Sequence, residues 1–431
     1  MNTASRNIQH TYLTLIFFNT LAASLIWGIN TIFLLDAGLS NLEAFAANAF
    51  FTAGMVLFEI PTGIIADLKG RRLSFLLGTL TLAISTVLYM VMWQTTAPFW
   101  AWAIVSMFLG LGFTFFSGAT EAWLVDALKF TKYKGNLESV FAKGQITGGI
   151  AMFTGTIGGG IIAQATNLGV PYLLRGVILI ITFILAFFLM RDLGFTPTKK
   201  ERPLKEIKKI LDNSVKYGLR NPPVRWIMLS SPFIAGVSIY GFYALQPYLL
   251  ELWGDSKAYA LAGITAAILA GAQIIGGILV PYFGRAFKRR TTILLAAALL
   301  GTATIIFMGL YTNFWAVIIL VIIWGLLVAA VTPVRQAYIN GLIPAKQRAT
   351  VLSFDSLLGS GGGVVLQPIL GKAADIWGYP ISYVIGGGVQ ALALPLMLLA
   401  RRASTRPDAK LADIISPDEN PVIPPKTRSR L

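Results

Sequence analysis

The 431-residue chain contains no cysteine and a single histidine. Without thiols there is no disulfide framework, iron–sulfur cluster or thiolate zinc site. His10 stands before the first apolar run, so a histidine-based triad or metal cluster inside a membrane is excluded. Charge is also scarce. Asp, Glu, Lys and Arg make up 13% of the residues, about half the roughly 25% of a soluble domain. GxSxG, HExxH and GxxxxGK[ST] are all absent, which argues against a hydrolase, a metalloprotease or an ATP-driven pump on this chain. The reading is a non-enzyme that needs no bound cofactor and takes its driving force from a gradient.

What the chain has in abundance is apolar surface. Hydrophobic residues reach 55% and the mean hydropathy is +0.70. Twelve membrane helices of about 20 residues need about 240 apolar positions, and this composition supplies about that many. Apolar runs lie near 11–35, 42–66, 73–93, 99–124, 140–163 and 173–190, then near 226–250, 259–283, 292–310, 314–339, 351–373 and 381–400. The expected fold is all-α and integral to the membrane, with twelve transmembrane helices in two pseudo-symmetric six-helix bundles. The bundles span 1–190 and 226–402, a linker spans 191–225, and a disordered cytoplasmic tail spans 403–431. An even number of crossings puts both termini on one side.

The formal net charge of +16 would suggest nucleic acid in a soluble protein. Here its positions matter more. If the N-terminus is cytoplasmic, every Lys and Arg except Arg175, Lys257 and Lys372 falls on or near the cytoplasmic side, as the positive-inside rule requires. The charge is therefore a topology signal for a multi-pass plasma-membrane protein of the bacterial inner-membrane type, with attraction to anionic lipids and none expected to nucleic acid. In the linker, Leu204, Ile207, Leu211, Val215 and Leu219 recur at helical spacing, which fits either an amphipathic helix on the inner leaflet or a plain tether.

Four related patterns close the second run of each group of three: Gly63-Ile-Ile-Ala-Asp67, Gly160-Ile-Ile-Ala-Gln164, Gly277-Ile-Leu-Val-Pro281 and Gly371-Lys-Ala-Ala-Asp375. Each glycine lets a neighbouring helix approach, and a polar or helix-ending residue follows four positions on. Four copies at equivalent points argue for four three-helix units. Laying the halves on each other sets Glu59 opposite Gln273, Trp27-Gly28 opposite Tyr240-Gly241, Glu121 opposite Arg335 and Lys143 opposite Asp355. Secondary transporters are commonly built from such repeats, with the substrate near the midplane between them.

The loop Gly63-Ile-Ile-Ala-Asp67-Leu-Lys-Gly70-Arg71-Arg72 resembles the signature loop of the major facilitator superfamily, GxxxDxxGRR, and matches every fixed position. A degraded copy runs from Gly277 to Arg285. Within that superfamily the fifth run, Ala151 to Gly160, resembles the GxxxGPxxGG motif of the 12-helix drug:proton antiporters, with Ala151 for the first Gly and Thr156 for the Pro. The fourth run lacks their RxxQG pattern and carries Gly118-Ala-Thr-Glu121-Ala-Trp-Leu-Val-Asp126. The resemblance implies a latch on the cytoplasmic side, made by Gly63, Asp67, Gly70, Arg71, Arg72 and Asp126. Asp67 would face the N-terminus of the eleventh helix, and the signature Arg71 would pair with Asp126 when the protein opens outward.

Five charges fall inside or near apolar runs: Glu59, Glu121, Lys143, Arg335 and Asp355. A charge at the centre of a membrane helix costs about 2.5–3.5 kcal/mol or more, so each needs a partner, a wet cavity or a proton. One reading makes Glu59, Glu121 or Asp355 the carrier of a coupling proton. The other makes fixed pairs, Glu121 with Lys143 and Arg335 with Asp355, that gate one conformation.

The resemblance also implies a cavity lined by the first, fourth, seventh and tenth helices. Trp27 and Asn30 on the first and Tyr240, Tyr243 and Gln246 on the seventh are the candidates, the last three expected on one face. Aromatic faces bind apolar and cationic solutes. The expected function is proton-coupled export of amphipathic or cationic small molecules by a monomer working through alternating access. The alternative is a proton-coupled or facilitative carrier of one metabolite or lipid.

Overall fold

The computed structural model describes residues 3–197, 208, 212–286 and 289–403. They form α1 (Thr3–Trp27), α2 (Asn30–Asp36), α3 (Asn41–Lys69), α4 (Arg71–Thr95), α5 (Phe99–Thr114), α6 (Ala119–Phe130), α7 (Leu137–Ala165) and α8 (Gly169–Leu189). After the linker come α9 (Pro222–Trp253), α10 (Tyr259–Ala286), α11 (Arg290–Leu310), α12 (Phe314–Leu342), α13 (Arg348–Ala391) and α14 (Ala393–Ala403). Most of the residues expected to form an amphipathic linker helix, including Leu204, Ile207 and Leu211, lie outside the described residues. Val215–Leu219 forms one π-helical turn. The expected disordered tail lies outside them as well, apart from Ala403.

Among the described residues, eleven stretches are long and apolar enough to cross a membrane, and the last of them, Thr350–Ala403, is 54 residues long. It makes two passes. Gly378, at a φ of +79°, breaks α13, and the chain doubles back so that Ser382 Oγ donates to Leu370 O at 2.8 Å. That gives twelve crossings. The first is α1 with α2, and the fourth is α5 with α6. Each is interrupted: α1 stops at Trp27 and restarts at Asn30, while Phe115 to Gly118 separates α5 from α6.

Local chemistry sets several helix ends. Ser40 and Glu43 form a capping box at the start of α3, which satisfies two backbone donors reciprocally. Asn136 and Asn313 cap α7 and α12 through their side chains. The crossings form two bundles. In the first, α1 packs on α7 and α8, and α3 packs on α5. In the second, α9 packs on α13 and α14, and α10 packs on α12. Between the bundles, α3 meets α13 and α7 meets α10. Below, the face where α1 begins is called proximal and the opposite face distal.

Candidate functional site

The two halves are sewn together at the distal face. Both carboxylate oxygens of Asp375 accept backbone N–H groups at the start of α3, from Asn41 and Leu42, each at 2.9 Å. The first-turn amides of a helix have no partner within it and carry the positive end of its dipole, so an anion there is stabilised. Tyr379 donates its hydroxyl to Asn41 Oδ1. One turn before Asp375, a Cβ on Gly371 would lie 2.9 Å from Asn41 O, so the helices cross too closely for any side chain.

The α7–α10 contact repeats the device. Gln164 Oε1 accepts the N–H of Ala260 at 3.0 Å, at the start of α10. A Cβ on Gly160 would lie 2.8 Å from Tyr259 O, and one on Gly263 would lie 2.6 Å from Thr156 O. These are the second and fourth copies of the internal repeat. The first and third copies sit at the proximal ends of α3 and α10, where a Cβ on Gly63 or Gly277 would have nothing within 4 Å. Two copies are engaged and two are open, so the molecule is closed distally and open proximally.

A third distal tie comes from Gln246 on α9. Its Nε2 donates to Trp27 O at 2.8 Å, and its Oε1 accepts the N–H of Thr31 at 2.9 Å. One side chain thus serves backbone groups freed by the break between α1 and α2. Gln246 is 4% exposed and belongs to the closed gate rather than to an open wall. Asn30 is likewise tied up, donating to Asn48 Oδ1 at 2.9 Å and accepting from Tyr172 at 3.0 Å.

Beneath this gate lie two neighbouring chambers of about 450 and 520 Å³. The central chamber, about 520 Å³, lies between the halves, with Trp27, Phe51, Phe113, Phe242 and Tyr243 among its walls. Thr52 and Met55 of α3, Thr156 of α7, Gln273 of α10 and Ser360 of α13 also line it. The second, fifth, eighth and eleventh crossings therefore join the first, fourth, seventh and tenth. Tyr240 does not. It is 1% exposed, hydrogen-bonded to Ser382 and packed on Phe45 and Tyr383. A helix turns 100° per residue, so Tyr240 and Gln246, six apart, point about 120° apart. The expectation of one shared face fails for that reason.

The second chamber, about 450 Å³, lies within the C-terminal half and holds the ion pair expected between Arg335 and Asp355. Arg335 Nε donates to Asp355 Oδ2 at 3.0 Å and Nη2 to Oδ1 at 2.6 Å. Ser231 Oγ donates to Asp355 Oδ1 at 2.6 Å, and Arg335 Nη2 also reaches Ile227 O at 2.9 Å. Fork-on-carboxylate bonding of this kind fixes geometry as well as charge.

The other expected pair does not form, for no ion pair joins Glu121 to Lys143 among the described residues, and both side chains are exposed. Glu59 is exposed too and accepts from Ser117 Oγ at 2.6 Å, in the break between α5 and α6. It sits one helical turn from cavity-lining Met55.

Several bonds of the signature loop stay within its own half. Asp67 pairs with Arg71 one turn on, and Arg71 lies over the Phe195 ring. The N–H of Arg72 donates to Asp192 Oδ1 at 2.9 Å, and its guanidinium reaches Phe187 O at 2.6 Å. Gly70, at a φ of +106°, lies against the Asp192 carboxylate, so a side chain there would be both strained and blocked. Asp126, half-buried, is not bonded to Arg71; the backbone O of Asp126 instead backs onto Gly194. In this proximally open conformer the expected pairing of Arg71 with Asp126 is unmade.

Sequence reasoning missed two residues. Asp192, the first acid of the linker, carries no motif. Arg175, counted only as one of three outward-side charges, lies inside α8 at 2% exposure. Its Nε donates to Thr86 Oγ1 at 3.0 Å and its Nη1 to Ala22 O at 3.3 Å. The signal available was its place inside the apolar run 173–190, where a charge needs a partner.

The sequence model of the Major Facilitator Superfamily matches residues 12–312 and 259–424. The multidrug resistance protein MdtG of Salmonella typhimurium is 25% identical over 334 residues, covering 76% of this chain and 77% of that one. An uncharacterized MFS-type transporter of Methanocaldococcus jannaschii is 24% identical over 309 residues, covering 68% and 76%. Among solved structures, the nucleoside transporter NupG superposes with a TM-score of 0.75 at 12% identity, covering 92% of this chain and 99% of that one. A bacterial homolog of the human lysosomal transporter Spinster, inward-facing and unoccupied, gives 0.70 at 16% identity, covering 97% and 100%.

Proposed function

The chain belongs to the major facilitator superfamily of membrane transporters, and we propose that it exports amphipathic small molecules by alternating access in exchange for protons. The termini and the proximal face are cytoplasmic in this reading, which follows from the placement of Lys and Arg. The conformer described is then inward-open, loading from the cytoplasm or inner leaflet. The observation that carries the reading is the aromatic, mostly apolar central chamber, closed distally by two pseudo-symmetric helix contacts and backed by an ionisable pair. The likeness to a multidrug resistance protein supports export over import.

Asp355 is the coupling acid in this proposal. It lines the second chamber, is half-buried, and accepts hydrogen bonds from both Arg335 and Ser231. A proton taken up at Asp355 from the outside removes the charge that holds Arg335 and loosens α12 from α13, the helices that bear the pair. Release of that proton to the cytoplasm remakes the bonds. Asp67, Gly70, Arg71 and Asp126 act in the opposite conformer, latching the cytoplasmic face; Glu59, Glu121 and Lys143 ring its mouth. The protein works as a monomer in the inner membrane and attracts anionic lipids at its basic face.

The test is accumulation of a fluorescent uncharged amphiphile in proteoliposomes with an acidic lumen and the cytoplasmic face outward. Uptake should follow the pH gradient, collapse with a protonophore, and lose its gradient dependence in Asp355→Asn. Uptake indifferent to the gradient in the unmodified protein would refute proton coupling. A carrier of one specific solute remains the second reading, and the fork-bonded pair in the second chamber favours it. Saturation by one metabolite alone, with no response to unrelated amphiphiles, would establish that reading instead.

A further inference from the structure

The two chambers are neighbours that share the lining residues Ser238, Ile239, Trp324, Val328 and Ser360. Each falls in the range of about 300–1,000 Å³ usual for small-molecule sites. They differ in chemistry. The central chamber is walled by aromatic rings and carries no charged side chain. The second adds the charged pair and, around it, the uncharged polar groups of Ser356, Ser360, Gln336 and Gln390. Ser356, Ser360 and Gln336 make no hydrogen bond to protein among the described residues. Gln390 is 3% exposed, and its Oε1 has no protein partner.

The balance of charge on these walls is decisive. Among the described residues that line either chamber, Asp355 is the sole carboxylate, and both its oxygens are already taken by Arg335. A cation entering the site would leave its water and meet no unpaired anion. Arg175, the buried charge of the N-terminal half with no ion-pair partner among the described residues, is itself positive. An uncharged head with several hydroxyl or amide groups meets free hydroxyls and amides instead, and buried polar groups must find partners.

Resting on the transport reading above, we propose that the site takes amphiphiles with an uncharged, hydroxyl-rich head: the apolar body lies among the rings of the central chamber and the head enters the C-terminal chamber beside Ser356, Ser360, Gln336 and Gln390. Lipophilic cations, one of the classes expected from the sequence, are not its preferred ligands.

The test uses the full chain in phosphatidylcholine nanodiscs and equilibrium binding of tritiated octyl glucoside below its micellar concentration. Octyl sulfate, octyltrimethylammonium and octanol compete, so that the tail stays constant while the head changes. The glucoside should bind at least tenfold more tightly than either charged compound. Ser356→Ala with Ser360→Ala should weaken the glucoside about tenfold while leaving octanol within twofold. Equal or tighter binding of octyltrimethylammonium would overturn the proposal, as would an unchanged glucoside affinity in the double variant. If that variant fails to fold, the head-group series on the unmodified protein still decides. Because binding needs neither a gradient nor a direction, glucoside binding without gradient-driven uptake would refute the proton-coupled export reading and leave the ligand class standing.

Discussion

The carboxylate of Asp375, on α13, grips the backbone N–H of Asn41 at the start of α3, across the seam between halves that are 334 residues apart in sequence. An anion at a helix N-terminus is worth about 0.3–2 kcal/mol. Asp375→Asn should therefore shift the equilibrium toward the distally open state by roughly 2- to 30-fold, since about 1.4 kcal/mol is a factor of ten. In this cysteine-free chain, a single Ala374→Cys reporter, buried at the same seam, should react with an impermeant maleimide from the distal side faster by that factor. An unchanged rate would mean that the cap does not hold the gate.

Close helix approach at the second contact makes a steric prediction. A Cβ at Gly263 would press on Thr156 O, a backbone atom that cannot swing away. Gly263→Ala should destabilise the proximally open conformer by about 1–3 kcal/mol, as overpacking does. Gly277→Ala, with open space around it, should leave that conformer unaffected. Accessibility of the same cysteine reporter separates the two; equal behaviour would count against the contact.

Gln246 carries two hydrogen bonds to backbone groups of the interrupted first crossing. Gln246→Leu leaves Trp27 O and Thr31 N without those partners, each at a cost of about 1–3 kcal/mol. The variant should unfold several degrees lower in detergent. Gln246→Glu, which keeps the acceptor and loses the donor, should fall between the two. A Leu variant as stable as the parent would show that water replaces the clamp.

Breaking the buried pair should be worse than removing it. Asp355→Leu leaves Arg335 charged in a half-buried site and should cost about 3–5 kcal/mol. Adding Arg335→Met should restore part of that loss. A double-mutant cycle on thermal unfolding reads the coupling, and strict additivity would mean that the two side chains act independently.

The all-helical membrane architecture was legible because membrane insertion enforces it: long apolar runs have one reading in lipid. The Arg335–Asp355 pair was legible for the same reason, since a charge in an apolar run demands a partner. The expected Glu121–Lys143 pair failed because depth along a helix does not say which way a side chain faces. Tyr240 failed on angle, drifting off the face of Gln246 to join the C-terminal core. Asp375 and Gln164 were visible as the ends of repeat patterns, but which helix start each would cap depends on how the halves meet. Arg175 lay inside the run 173–190 but was counted only for topology, as an outward-side charge, and not among the charges that need a partner.

The central claim is that the halves rock reciprocally about the shared cavity. The direct measurement is a pair of electron-spin distances on the cysteine-free chain, one between labels at Lys132 and Arg401 near the proximal face and one between Thr96 and Tyr311 near the distal face. On adding ligand at acidic pH, the account predicts that the distal distance lengthens as the proximal one shortens, in the same fraction of molecules. Both distances lengthening together, or neither changing while transport proceeds, would contradict it.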